Sequence, residues 1–272
     1  MSAPSETQSK ANSEQKTGVY VYGILPGDVE LNSEIHGVGN PPGEVRLVRS
    51  GDLAALVSEV DLLGPLGTPE DLQAHEQILD SIVTASPVLP LRFGAVLTSE
   101  DAVVEELLEP HHDEFAAALE ELDGRAEYLV KGRYVEQAIL AEILSEDSEA
   151  AQLRDQIRDA DPDATRDLRI QLGELINNSV AAKREEDTRL LSAMQDRCEA
   201  SFVRDPTHEL DAVNVAFLVD TDQADELDRV AEDLGSRWEG RVELRVLGPM
   251  APYDFVAGTQ EVAGTQEQEP QD

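Results

Sequence analysis

The chain has 272 residues, room for one large or two compact domains, and sets 21 Lys and Arg against 57 Asp and Glu, a formal charge of −36. Nucleic-acid affinity rests on Lys and Arg displacing counterions, so a chain this acidic excludes a nucleic-acid partner. The single cysteine, Cys198, excludes an internal disulfide and a multi-cysteine zinc site, and no run of about 18 apolar residues is present to span a membrane.

Residues 1–17 are small and polar, without the apolar stretch of a secretion signal; they are expected to be disordered, and the protein cytoplasmic. "VYVYGIL" (Val19–Leu25) mixes β-branched and aromatic residues and stops at Pro26-Gly27, a strand and a turn. "EVRLVRS" (Glu44–Ser50) and "DLAALVSEV" (Asp52–Val60) read as a hairpin broken at Ser50-Gly51-Asp52. Thr68 is placed to cap a helix with Pro69 at its first position, and Leu72, His75, Leu79, Ile82 and Val83 follow at helical spacing. "SPVLPLRFGAVL" (Ser86–Leu97) reads as a buried strand that Pro87 and Pro90 keep at a sheet edge. Helices are predicted from about Ser99, a good cap with acids in its first turn, and from about Pro110 to Leu122.

Asp123-Gly124 marks the junction to a second domain, which opens with the strand "RAEYLVKGRY". Two helical segments are predicted next. The second is the longest, from Asp163 to about Ala200, with Cys198 on its apolar side beside Leu190, Leu191 and Met194. "AVNVAFLV" is a strand, "ADELDRVAEDL" a helix and "GRVELRVLGP" a closing strand with Val242, Leu244 and Val246 on one face. "VAGTQE" then repeats from Val256 and Val262, a tail too polar to bury a core. The expected division is a disordered 1–17, an N-terminal α+β domain at 18–123, a ferredoxin-like domain with a long helical insert at 124–256, and a disordered acidic tail at 257–272. The fold class is α+β, with helices packed on one face of a sheet.

The chemistry-bearing residues form no site. His75-Glu76 and His111-His112 are adjacent pairs, and neighbours on a helix point apart. Asp159, Asp161 and Asp163 have calcium-loop spacing, but Ala164 replaces the required Gly and Ile170 the bidentate Glu. No Gly-x-Ser-x-Gly elbow is present, and "GVGNPPG" (Gly37–Gly43) lacks the Lys-Ser/Thr of a phosphate loop. No catalytic, cofactor-binding or metal-binding residue is assigned, and the chain is read as a structural or interaction protein rather than an enzyme. Arg92 stands out inside an apolar run. Unable to lose its charge, it is expected to pair with a carboxylate of the N-terminal domain, beside a buried Phe93 and a Gly94 that permits close packing.

Four stretches in order resemble the gas vesicle protein F/L family (GvpF/GvpL), nearer its L member in length. They are "VYVYGIL", "HEQILDSIVTASPVLPLRFGAVL" (His75–Leu97), "EYLVKGRY" (Glu127–Tyr134) and "GRVELRVLGPMAPYDFV" (Gly240–Val256), together spanning Gly18–Val256. Met250-Ala251 and Ala95 depart from that pattern, which carries Trp-Pro and Thr there. The resemblance implies a non-enzymatic accessory protein of gas vesicle assembly, located in the cytoplasm and at the vesicle, without cofactor. Its implied partners are the vesicle shell protein and other accessory proteins, met during nucleation. Pro90, Leu91, Arg92, Phe93, Gly94, Gly248, Pro249, Pro252, Tyr253 and Phe255 become the structural or interaction candidates. A halophilic source accords with the charge and with lysine confined to Lys10, Lys16, Lys131 and Lys183. The alternative is a ferredoxin-like regulatory module that binds a small molecule.

Overall fold

The computed structural model describes residues 17–31, 35–158, 160–161, 164–192 and 198–256. The expected disordered ends, apart from Thr17, lie outside the described residues, as do Asp159 and Asp163 of the aspartate-rich loop. The chain forms two compact units. Among the described residues, one draws on Thr17–Ile78 and Leu91–Ala116, and the other on Leu79–Pro90 and Ala117–Val256.

In the first unit, strand β1 (Thr17–Pro26) is the centre of an antiparallel sheet. It pairs with β3 (Leu53–Asp61) from Thr17↔Asp61 to Pro26↔Leu53, and β2 (Arg46–Ser50) pairs with the outer side of β3. The β2–β3 hairpin turns over Gly51-Asp52, where the sequence places its break. Every residue from Val19 to Leu25 is buried, so β1 is covered on both faces. Tyr20, Tyr22, Ile24, Leu56, Leu108 and Phe115 have no exposed surface. Helix α1 (Pro69–Val83) starts with a reciprocal cap. Thr68 Oγ1 accepts from the Asp71 N–H at 3.2 Å, and Asp71 Oδ2 accepts from the Thr68 N–H at 3.0 Å.

The strand expected across Ser86–Leu97 is two short pieces, β4 (Leu89–Pro90) and β5 (Val96–Leu97), with a turn between them. Pro90 has no N–H to give a ladder, and Gly94 adopts φ +94, which no extended strand allows. β5 pairs with β1 at Val19↔Leu97 and Tyr20↔Val96. The helix capped by Ser99, whose Oγ accepts from the Ala102 N–H at 3.1 Å, begins as α2 (Glu100–Ala102) and widens into a π-helical segment, Val103–Leu108. The wider turn buries Val103, Leu107 and Leu108. α3 (His112–Leu122) follows.

The second unit is built on β6 (Arg125–Tyr134), β7 (Ala200–Val203), β8 (Asp211–Asp220) and β9 (Val242–Met250). Their order in the sheet is β7-β8-β6-β9, with every neighbouring pair antiparallel. Among the described residues, the helices α4 (Glu136–Glu146), α5 (Ser148–Arg158) and α6 (Arg166–Ser192) lie between β6 and β7, where two segments are expected. The extra break falls at Asp147, whose carboxylate accepts from the Glu149 and Ala150 N–H groups and starts a new helix. Cys198, expected on the long helix, sits half-buried in a bend. α7 (Ala224–Arg237) joins β8 to β9 and packs on β9.

Ionic contacts fasten the helices of this unit. Lys183 on α6 reaches Glu142 and Glu146 on α4 at 2.6 and 2.7 Å. Arg241 bridges Glu142 at 2.7 Å and the buried Asp187 at 2.9 Å, and Tyr134 donates to the same Asp187 carboxylate at 2.6 Å. Burial pushes the Glu142 carboxyl up, but the Lys183 and Arg241 cations outweigh it and hold it below the usual range.

Candidate functional site

The residues singled out by sequence fall into two stretches, Pro90–Gly94 and Gly248–Phe255. In the first, Leu91 is fully buried and its N–H donates to the Tyr22 carbonyl at 2.9 Å. Pro90 is buried beside it in sequence, while Arg92 is exposed and Phe93 half-buried. Arg92 is therefore at the surface and not enclosed in an apolar strand, because the chain leaves the extended conformation after Leu91. The Phe93 ring stands edge-on to Tyr20 and His75, with centroids 5.7 and 5.6 Å away. Gly94 does not serve close packing: a Cβ there would meet nothing within 4 Å. It supplies the positive φ that lets its N–H donate to Tyr20 Oη at 3.1 Å.

His75 organises this turn from α1. The Tyr20 hydroxyl, accepting from Gly94, donates to His75 Nδ1 at 2.9 Å, and the imidazole stacks on the Tyr22 ring. Burial pulls His75 down to about 4, and its hydrogen bond with the Leu91 backbone opposes only part of that. Glu76 points away to solvent. A neutral, enclosed imidazole with a tyrosine partner is an architectural group here.

In the second unit, Gly248, Pro249, Pro252, Tyr253 and Phe255 form the end of β9 and a single 3₁₀ turn, Tyr253–Phe255. Gly248 has φ +137 and lies so close to β6 that a Cβ would sit 2.8 Å from the Tyr128 ring and 2.9 Å from the Glu127 carbonyl oxygen. Pro252 is buried; Pro249, Tyr253 and Phe255 are half-buried. The turn is fixed by polar groups. Ala251 N–H donates to Asp80 Oδ1 at 2.8 Å, and Asp254 N–H donates to Glu127 Oε2 at 3.1 Å. Arg204 grips Glu127 Oε1 at 2.6 Å and Asp254 Oδ2 at 2.5 Å. Glu127 is wholly buried, and loss of water pushes its carboxyl up to about 7. Arg204, shared with Asp254, offsets this only partly, and the Asp254 and Asp80 carboxylates push the same way as burial.

Glu127 and Arg204 were not singled out by sequence reasoning. The available signal was Glu127 itself, an acid inside the apolar run of a central strand, where a charge must have a partner. Beside the turn, Phe255 and Val256 form one side of a groove of about 440 Å³ whose other residues include Ala118 and Leu122 of α3, Ala200 of β7 and Leu218 of β8. Arg125 at its rim pairs with Glu199 and Asp220, both at 3.2 Å.

Catalytic groups are not assembled in either turn. Among the described residues no cluster of three or more His, Cys, Asp or Glu could hold a metal ion, and no helix is long and apolar enough to cross a membrane. His112 meets the exposed Asp52 at 2.5 Å and is raised by that hydrogen bond, and His111 meets Glu114 at 3.5 Å; neither pair converges on a common point.

An α+β protein with two antiparallel sheets, each carrying a motif turn, is the class these elements define. A family model described as gas vesicle synthesis protein GvpL/GvpF matches residues 18–257, and the chain belongs to that family. Gas vesicle protein F of a Streptomyces species is 34% identical over 242 residues, covering 87% of this chain and 98% of the relative. Gas vesicle protein L of the same species is 31% identical over 279 residues, covering 91% and 96%. The crystal structure of GvpF from an Anabaena species superposes with a TM-score of 0.72 at 25% identity, covering 88% of this chain and 98% of that one. The role of this chain accordingly lies with gas vesicles.

Proposed function

We propose that the protein is a non-enzymatic assembly factor, which binds the vesicle shell protein and other accessory vesicle proteins in the cytoplasm while vesicles nucleate. The observation that carries the reading is an apolar loop on an otherwise highly charged chain. Between β3 and α1, Leu62, Leu63 and Leu66 are 41%, 72% and 37% exposed, followed by Leu72 at 44%. A protein with a formal charge of −36 has no solubility reason to present leucines there; contiguous exposed apolar residues mark contact surfaces. Such a loop would engage apolar faces of shell subunits while the acidic remainder keeps the complex dispersed. The exposed Arg92 and half-buried Phe93 add the residue types favoured at interface centres.

The test is deletion of the gene in its source cell and microscopy for vesicles, with complementation by wild type and by Leu63→Glu. Wild type should restore vesicles and retain shell protein in a pull-down at high salt, and Leu63→Glu should lose both while folding normally. Vesicle formation without the gene, or failure of wild type to retain any vesicle protein, would sink the reading.

A further inference from the structure

We infer that the groove beside the closing turn is a docking site for an apolar segment of a partner protein flanked by basic residues. This deepens the assembly reading and rests on it for the biological identity of the partner, though not for the binding itself. The groove, about 440 Å³, is within the size range of sites that enclose a ligand group, and its interior is supplied by Leu122, Leu218, Phe255 and Val256. It continues along the sheet. Ala200 borders it, and Phe202, two residues further along β7, lies on the same face and is 48% exposed. In a chain with charge on 29% of its residues, the four residues of β7 are Ala-Ser-Phe-Val, ending in a Val203 that is 52% exposed. Edge strands are ordinarily blunted by charges, and this one is not.

Charge selects the occupant. Among the described residues, Glu121 and Glu199 stand at the groove, and the cation Arg125 beside them is already held by Glu199 and Asp220. The rim is thus net negative, as is the whole chain. It repels an acidic segment or a second copy of this protein and attracts lysine or arginine flanking an apolar anchor. The groove has a fixed frame, since Arg204 and Glu127 pin the turn that carries Phe255.

The experiment uses the full chain and a labelled synthetic peptide with a Leu-Phe-Leu centre between lysine pairs, followed by fluorescence anisotropy. A second peptide carries glutamates in place of the lysines. The lysine peptide should bind saturably, and the glutamate peptide should bind at least about tenfold more weakly near 0.15 M salt, with the gap narrowing near 1 M. Phe202→Asp and Ala118→Glu should each weaken binding by about tenfold or more. Phe202 is at the surface, so its variant keeps the test valid if Ala118→Glu fails to fold. No saturable binding, equal affinity for the two peptides, or binding unchanged in Phe202→Asp would overturn the proposal. So would chain dimerisation through this face in sedimentation. The broader reading is scored separately: if wild type retains vesicle proteins and Phe202→Asp retains them equally, the groove assignment fails and the assembly role stands.

Discussion

Two buried side chains titrate in opposite senses across nearly the same pH range. Folding holds a proton on Glu127 up to about pH 7, whereas the unfolded carboxyl releases it near 4.5. The folded chain binds more protons in that window, so this group lowers stability as pH rises through it. His75 does the reverse: the unfolded imidazole takes its proton near 6.5 and the folded one only near 4, so stability falls as pH drops through that interval. Wild type should show a shallow pH dependence between about 4.5 and 6.5 from this pair. Glu127→Gln removes the downward contribution, and its denaturation midpoint should rise with pH more steeply than wild type. His75→Phe removes the upward one and should tilt the profile the other way. Urea unfolding at fixed high salt, from pH 4.5 to 7, measures both slopes. Parallel profiles for wild type and Glu127→Gln would show that Arg204 keeps the buried carboxyl ionised throughout. The slope is the diagnostic quantity, because either substitution also changes the midpoint by disturbing hydrogen bonds.

Both motif turns depend on a glycine, for reasons that separate by substitution. At Gly94 the backbone is left-handed and the space for a side chain is open, so Gly94→Ala should cost about 1–2 kcal/mol of conformational strain alone. At Gly248 the same kind of strain is joined by collision with the Tyr128 ring and the Glu127 carbonyl, which belongs to a central strand and cannot give way. Gly248→Ala should therefore be the more damaging by more than about 1 kcal/mol in denaturant unfolding, and equal losses would contradict the close approach. The elements around these turns were legible to different degrees. Strands β1, β6 and β8 announce themselves as long β-branched and aromatic runs between turn residues, and α1 by Thr68, Pro69 and its apolar spacing. Ser86–Leu97 misleads because its apolar residues are as dense as a strand's, while the positive φ at Gly94 decides the local path. β7 is four residues long and has no alternation of its own; β8 makes it a strand by pairing from Ala200↔Leu218 to Val203↔Val215. The periodic run read as one helix through Cys198 does not hold to that residue, which lies in a bend, since apolar spacing says nothing about where backbone hydrogen bonds end. At the second turn, Tyr253 and Phe255 were visible as motif residues, but the Arg204–Glu127 pair joins positions 77 apart, a closure no local pattern encodes.

For the molecule as a whole, the balance between long-range repulsion and short-range pairing sets how it behaves in salt. The excess of 36 negative charges is spread along the chain, and most of the arginine and lysine pairs sit at the surface, where each ion pair contributes about 0–1 kcal/mol and weakens with salt. The pairs shielded from water are Arg241 and Tyr134 with Asp187, joined by Arg204 with Glu127 once that carboxyl ionises above about pH 7. Salt screens exposed charges over a Debye length of about 10 Å at 0.1 M and about 3 Å at 1 M, and it screens buried pairs much less. Raising potassium chloride through that range therefore removes repulsion faster than it removes attraction, and the melting midpoint should climb. Most of the climb belongs below about 1 M, where the screening length changes most, with a slower rise beyond it from salt acting on apolar surface. Sucrose, which strengthens burial without screening, should reproduce the slow rise and not the steep one. A melting midpoint that stays level from 0.1 M to multimolar salt, or one that sucrose raises as steeply, would mean that the acidic surface is not a source of instability at low salt. The halophilic reading of the composition would then fail, leaving the fold and the family as they are.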